Sequence, residues 1–255
     1  MPARFLPRWE VADVTGAVVA VDVIRAFTTA AYAFAAGARH IFLVDSVDEA
    51  VAFKAANPGV LTMGENRGRR PPEFDFSNSP VEIAAADLDG RVLFQRTSAG
   101  TRGVIAARSA TRLWCASLVC ASATAAAVRT SGLGAPTYVI TGAAITDAAI
   151  TGAALTAAAI TGAAITGRYD DRPSTGADDL AAAELIERAR LGSDLDAART
   201  IELIARSDEA TRTLALGQGH SDPDDIVYAT RVDAFDFAME VRRDCDRLRL
   251  DQVQP

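Results

Sequence analysis

The chain has 255 residues, 49% of them hydrophobic, enough to bury a full core in one large or two small domains. Its formal net charge of −7 argues against broad electrostatic affinity for nucleic acid or an anionic membrane. Cys115, Cys120 and Cys245 make no disulfide framework, and His40 and His220 are too few for a histidine-rich metal site. No signal-peptide pattern and no apolar run of spanning length are present, so a soluble cytoplasmic protein is expected.

Short β-branched runs alternate with Ala-rich helical patterns through the first half. Strands are predicted at 17–22, 40–45, 59–63, 91–96, 111–116 and 137–141, and helices at 26–36, 47–56, 101–108 and 119–130. Ser46 with Glu49 reads as a capping box that opens the second helix. Near-continuous apolar strands separated by helices predict an α/β fold, its mostly parallel sheet covered on both faces.

From Ile140 to Gly167 the chain repeats a pentapeptide of the type ITGAA, anchored at Ile140, Ile145, Ile150, Leu155, Ile160 and Ile165. A five-residue step turns a helix by about 140° beyond one turn, so the anchors line no single helical face. In a strand the odd step flips each anchor to the opposite side. The run is too short for several stacked coils. It is read as an expansion tolerated in a surface connection of a single domain, with an assembly surface as the other reading. After Gly176 the pattern turns helical, at 178–190, 196–206, 208–216 and 224–239.

Ligands of open α/β sheets bind beyond the carboxyl ends of strands, and four polar clusters fall there or at a helix start. Asp22, Arg25, Thr28 and Thr29 follow the first apolar run. There an Arg fork and free helix-start N–H groups would suit an anion, and the Asp beside them points to a metal or to chemistry. The second cluster is Gly64-Glu65-Asn66-Arg67-Gly68, leading into Asp75, Asn78 and Ser79; the third runs from Arg96 through Thr97, Gly100 and Thr101 to Gly103. Asp178 and Asp179 open the helix after the repeat. Carboxylates without a His or Cys cluster fit Mg²⁺ better than Zn²⁺, and Arg groups would share phosphoryl charge, so the set reads as metal-dependent phosphate-ester chemistry. Plainer readings exist for each: an Asp22–Arg25 ion pair, helix starts at Thr28–Thr29, a turn at Asn78-Ser79-Pro80, and a Thr175–Asp178 capping box. His220 reads as a solvated loop residue and Cys115 as core.

The motifs VDVIRAFTTAAYAFAAGA (21–38), GENRG (64–68), FDFSNSPVE (74–82), RTSAGTRG (96–103) and DDLAAAELIE (178–187) together resemble the 2-phosphosulfolactate phosphatase family over nearly all of the chain outside the repeat. The resemblance implies a three-layer α/β/α fold and Mg²⁺-dependent hydrolysis of (2R)-2-phospho-3-sulfolactate, a step of coenzyme M biosynthesis in methanogens. It implies Asp22, Arg25, Glu65 and Asp75 as catalytic, with Asp22, Glu65 and Asp178 at the metal. Thr28, Thr29, Arg67, Asn78, Ser79, Thr97, Gly100 and Thr101 would hold the small acidic phosphoester substrate. The chain departs from the family pattern at Phe27, Asn66, Ser77, Ala99 and Ala177. Ala99, Asn66 and the inserted repeat favour the alternative, a non-catalytic or altered-specificity binder of acidic phosphoesters. A homo-oligomer is left open.

Overall fold

The computed structural model describes residues 2–142 and 175–255. Strand β2 (Ala17–Val21) is buried along its whole length. It pairs in parallel with β6 (Arg112–Ala116) on one side and β7 (Thr137–Ile140) on the other, and β1 (Arg4–Pro7) extends the group beyond β7. A second parallel group holds β3 (His40–Leu43), β5 (Val92–Arg96) and β4 (Leu61–Gly64). An antiparallel hairpin of β8 (Ala238–Asp244) and β9 (Arg247–Val253) joins the groups, β8 against β6 and β9 against β3. The result is one nine-stranded sheet of order β1-β7-β2-β6-β8-β9-β3-β5-β4.

The three antiparallel pairings set the two parallel groups in nominally opposite directions. At about 20–25° of twist per step, the path from β2 to β5 accumulates on the order of 100° or more, so the strand ends no longer point apart. They converge: Gln95 Nε2 at the end of β5 donates to the Ala26 carbonyl beyond β2, at 2.8 Å. The sheet therefore curls, and helix α1 (Ala26–Ala35) fills its inner side. Phe27, Ala30, Ala31 and Phe34 pack there with Val18, Ala20, Met63, Leu93, Cys115 and Met239. Alanines let the helix lie close to strands from both groups. On the outer side Val19, Val21, Trp114 and Tyr138 meet α5 (Ala121–Thr130) and α6 (Ala177–Leu191). Phe42, Val44 and Phe94 meet α2 (Val47–Ala56). Alternate residues of β2 thus enter opposite cores, which is why its sequence is apolar without alternation.

The expected strands and most helices are present, and Ser46 Oγ accepts from Glu49 N at 3.0 Å as the capping box requires. Several elements differ, among them the short helix at Pro80–Ala84, which was not expected. Strand β1 and the β8–β9 hairpin went unpredicted, and the helix expected at 224–239 is only α9 (Asp225–Ala229) before the chain extends into β8. Phe235, Phe237 and Met239 alternate with polar or small residues there, a period-two pattern that overrides the helical reading. Short helices α3 (Pro80–Ala84) and α4 (Gly100–Ala106) cover loops on the inner side, and α7 (Ala197–Ala205) and α8 (Asp208–Ala215) follow α6. Among the described residues no helix is long and apolar enough to cross a membrane. The repeat beyond Gly142 lies outside the described residues, and so do the expectations attached to it.

Phe27, one of the departures from the family pattern, is fully buried in the inner core rather than turned to a ligand. Phe27→Ala is expected to lower the unfolding free energy by about 3–5 kcal/mol in a denaturant titration, as cavity-forming truncations do. A loss well under about 1 kcal/mol would contradict this placement.

Candidate active site

Asp22 leaves β2 where the chain turns into α1, and it is buried. Its Oδ1 accepts from Ala26 N at 2.8 Å, and its main-chain carbonyl accepts from Phe27 N at 3.2 Å. These N–H groups of the helix start, expected to receive an anion, are therefore already taken by Asp22. Oδ2 accepts from Thr141 Oγ1 at 3.0 Å. Burial outweighs both side-chain hydrogen bonds and, with the nearby charges of Glu65 and Glu209, pushes the Asp22 carboxyl up to about 6.

Asp178 and Asp179 begin α6, and neighbouring helical residues point about 100° apart. Their roles divide accordingly. Asp179 accepts from Val23 N at 2.9 Å, Gly142 N at 2.8 Å and Thr141 Oγ1 at 3.3 Å, bracketing the ends of β2 and β7 to the helix. Asp178 is 1% exposed and its Oδ1 has no hydrogen-bond partner among the described residues. The Thr175–Asp178 capping box is not formed: Gly176, at φ 64°, precedes the helix, and no side chain caps it. Burial, then Glu209 and Asp22, holds Asp178 well above the carboxylate range; burial, then Asp178 and Asp22, does the same for Asp179. The Thr141 hydroxyl lies within reach of the Val21 carbonyl, Asp22 and Asp179. One hydroxyl proton cannot serve three acceptors, so a proton retained by one of these acids fits the arrangement. Arg8, whose Nη1 donates to the Thr141 carbonyl at 2.6 Å, lies near Asp22 and Asp179.

The second strand group brings its own loops. Gly64 ends β4 at φ 132°, where a Cβ would sit 2.0 Å from the Arg96 carbonyl oxygen, so only glycine fits. Glu65 accepts from Gly68 N, Ser98 N and, at 3.0 Å, Ser98 Oγ, and so ties its loop to the next. Arg96 Nη1 reinforces the tie through the Glu65 carbonyl at 2.8 Å and Asn66 Oδ1 at 3.2 Å. Asn66 is thus absorbed into the loop, while Arg67 presents an exposed side chain at a φ of 51°. Thr97 and Thr101 bond each other and are buried, fixing the turn into α4 rather than opening to a pocket. Gly100 carries the approach to Asp22: a Cβ there would meet Ala26 Cβ at 2.6 Å and Asp22 Oδ2 at 2.8 Å.

Arg25 is 4% exposed and pairs with Asp225, not with Asp22. Its Nη1 donates to Asp225 Oδ2 at 2.8 Å and to the His220 carbonyl at 3.0 Å; its Nε and Nη2 have no hydrogen-bond partner among the described residues. Asp225, fully buried, also accepts from Ser79 Oγ at 2.5 Å and from Asp222 N at 3.0 Å. Thr28 Oγ1 donates to the Val23 carbonyl at 2.7 Å, and Thr29 Oγ1 to that of Asn78 at 3.2 Å. Asn78 keeps a buried Oδ1 without a partner. Ser79 also caps α3, accepting from Glu82 N at 3.2 Å.

Asp75 does not join this assembly. Its carboxylate takes Lys54 Nζ at 2.6 Å, Thr62 N at 2.7 Å and Thr62 Oγ1 at 2.9 Å, beside β4. Burial alone would raise its pKa, but those three bonds and the Lys54 charge leave it lowered. In this structure its carboxylate ties Lys54 to the start of β4. Thr141, Asp225, Arg8 and Glu209 were not singled out as candidates from the sequence alone, and Asp179 and Arg96 were named as cluster members without a role. An acid beside Asp178 and an acid-rich run at 222–225 were visible, but both resemble ordinary helix starts.

Among the described residues no group of three His, Cys, Asp or Glu side chains is set to hold a metal ion. Mg²⁺ commonly needs only one or two carboxylates, with water and substrate oxygens completing its shell. Asp22 and Asp178 are two such carboxylates. Both are buried, the Asp22 charge disfavours that of Asp178, and Asp178 Oδ1 is unpartnered among the described residues.

The raised pKa of Asp22 has a definite sign. The folded state holds this proton more tightly than the unfolded chain, so the group's stabilising contribution is complete below about pH 4 and is lost as pH rises through about 6. In EDTA at pH 8, Asp22→Asn is therefore expected to be more stable than wild type, by up to roughly 3 kcal/mol, with the gain vanishing near pH 4. Equal or lower stability of the variant in denaturant melts at pH 8 would contradict the burial cost.

A family profile described as 2-phosphosulpholactate phosphatase matches residues 6–244. A Bacillus subtilis (strain 168) protein described as a probable 2-phosphosulfolactate phosphatase is 33% identical over 236 residues, covering 92% of this chain and 91% of that protein. Proteins of the same description from Thermoplasma acidophilum and Thermus thermophilus are 41% and 43% identical over 111 and 113 residues. Those matches cover 44% of this chain each, and 50% and 47% of the respective relatives. With its two strand groups, its acid-rich β2–α1 junction and a match over nearly its full length, the chain belongs to the 2-phosphosulfolactate phosphatase family.

Proposed function

We propose that the chain hydrolyses the phosphoester of 2-phosphosulfolactate, with Mg²⁺ held between Asp22 and Asp178. The observation that carries this reading is the pairing of opposites at one strand end. Two buried carboxylates, one with an unpartnered oxygen, lie at the same junction as a buried guanidinium with unpartnered N–H groups. A bound divalent cation would neutralise phosphoryl oxygens and lower the pKa of a coordinated water. The chain's own groups do the positioning. Arg25, held by Asp225, offers Nε and Nη2 as a fixed fork for an anionic oxygen pair. Thr141 and Asp179 fix the Asp22 carboxylate, and Gly100 keeps the neighbouring turn pressed against it, excluding water from that side.

Phosphate release from 2-phosphosulfolactate, measured with Mg²⁺ and with EDTA, tests the reading. Turnover is expected with the metal and is expected to stop on chelation. Asp22→Asn should lose at least about two orders of magnitude in kcat. Arg25→Lys keeps a charge beside Asp225 but removes the planar fork, and a similar loss is expected. Metal-independent turnover, or near-wild-type rates in both variants, would overturn the assignment.

A further inference from the structure

The loop before α9, itself acidic at Asp222, Asp224 and Asp225, comes back to the β2–α1 junction beside Arg25, Arg69 and Arg70. His220 is half-buried, not a solvated loop residue: its carbonyl accepts from Arg25 and its Nδ1 accepts from Arg70 N at 3.2 Å. With Nδ1 occupied as an acceptor, the neutral ring carries its proton on Nε2. Arg69 closes the tight Asn66–Arg69 turn, Arg70 follows it, and the charges of both act on the imidazole together with that of Arg25. Three carboxylates nearby are already engaged, Asp225 by Arg25 and Ser79, Glu82 by Ser77 and Arg70, and Asp222 by Asp224 N. Arg25 keeps its Nε and Nη2 without a partner among the described residues, and Arg69, which has no ion pair among them, adds a cation beside it, which describes a seat for an anion.

We propose that Arg25, Arg69, Arg70 and His220 form the seat for the sulfonate of the substrate, the anion that is not transferred. The choice of sulfonate rests on the phosphatase reading above. A phosphoryl group needs the carboxylate-bound cation, whereas a sulfonate is fully ionised and presents three oxygens to donors on separate loops. Burial and then the charges of Arg69, Arg70 and Arg25 hold the imidazole below its usual range, so an anion seated there raises it.

The test is an NMR titration of the His220 ring in the metal-free full chain, with His40→Gln removing the only other histidine. Sulfolactate is expected to raise the His220 pKa, and lactate and inorganic phosphate at the same concentration are not. No shift with sulfolactate, or an equal shift with lactate or phosphate, overturns the proposal. In kinetics, Arg69→Ala should lower the kcat/KM preference for phosphosulfolactate over 2-phospholactate about tenfold. An unchanged preference contradicts the seat. If neither ester is hydrolysed, the phosphatase reading fails, while the titration still decides the seat.

Discussion

Burying like charges side by side is the constraint on which this structure turns. Asp22 and Asp178 are removed from water, and the charge of Glu209 acts on both, that of Asp22 also on Asp178. Such an arrangement is costly unless protons or a cation relieve it. The fold supplies the bracket that keeps it in place. Asp179 spends its carboxylate on main-chain N–H groups of Val23 and Gly142, so β2, β7 and α6 cannot separate without exposing those groups. Both neighbouring acids are nevertheless held above the carboxylate range, a pattern that fits a site built for ligand chemistry.

The curl of the sheet decides what can meet Asp22. Were the two parallel groups flat, their carboxyl ends would lie at opposite edges. Twist across the β8–β9 hairpin turns β4 and β5 back so that Gly100 touches Asp22 and the Glu65–Ser98 tie stands beside it. Charge then divides along the junction. Acids gather where β2, β7 and α6 meet, and guanidinium groups gather where the 64–70 and 217–225 loops meet. A substrate carrying a phosphoryl group at one end and a second strong acid at the other matches that division.

Much of the first half was legible because its signals are local. The apolar run of β2, the Ser46–Glu49 box and the hydroxyl-rich loops each lie within a few residues. What sequence reasoning missed is mostly distant in the chain. Arg25 finds Asp225 across 200 residues, and Thr141 finds Asp22 across 119. No local pattern encodes either pairing. The β8–β9 hairpin was obscured for another reason: the Phe235–Met239 alternation directly follows a short helical turn, and the two periods merge in one window. Thr97 and Thr101 were legible as a cluster but not in role, since their hydroxyls serve the turn itself. Asp75 likewise lay in the right motif, while Lys54 and Thr62 engage its carboxylate.

The most direct test of the buried carboxylate pair is calorimetric titration of Mg²⁺ into the full chain near pH 6, in two buffers of different ionisation enthalpy. Acids held above their ordinary range must give up protons to accept a cation. The account predicts saturable binding with proton release, weakened at least about tenfold by Asp178→Asn. Absence of Mg²⁺ binding, or binding unchanged in that variant and without proton release, would contradict it.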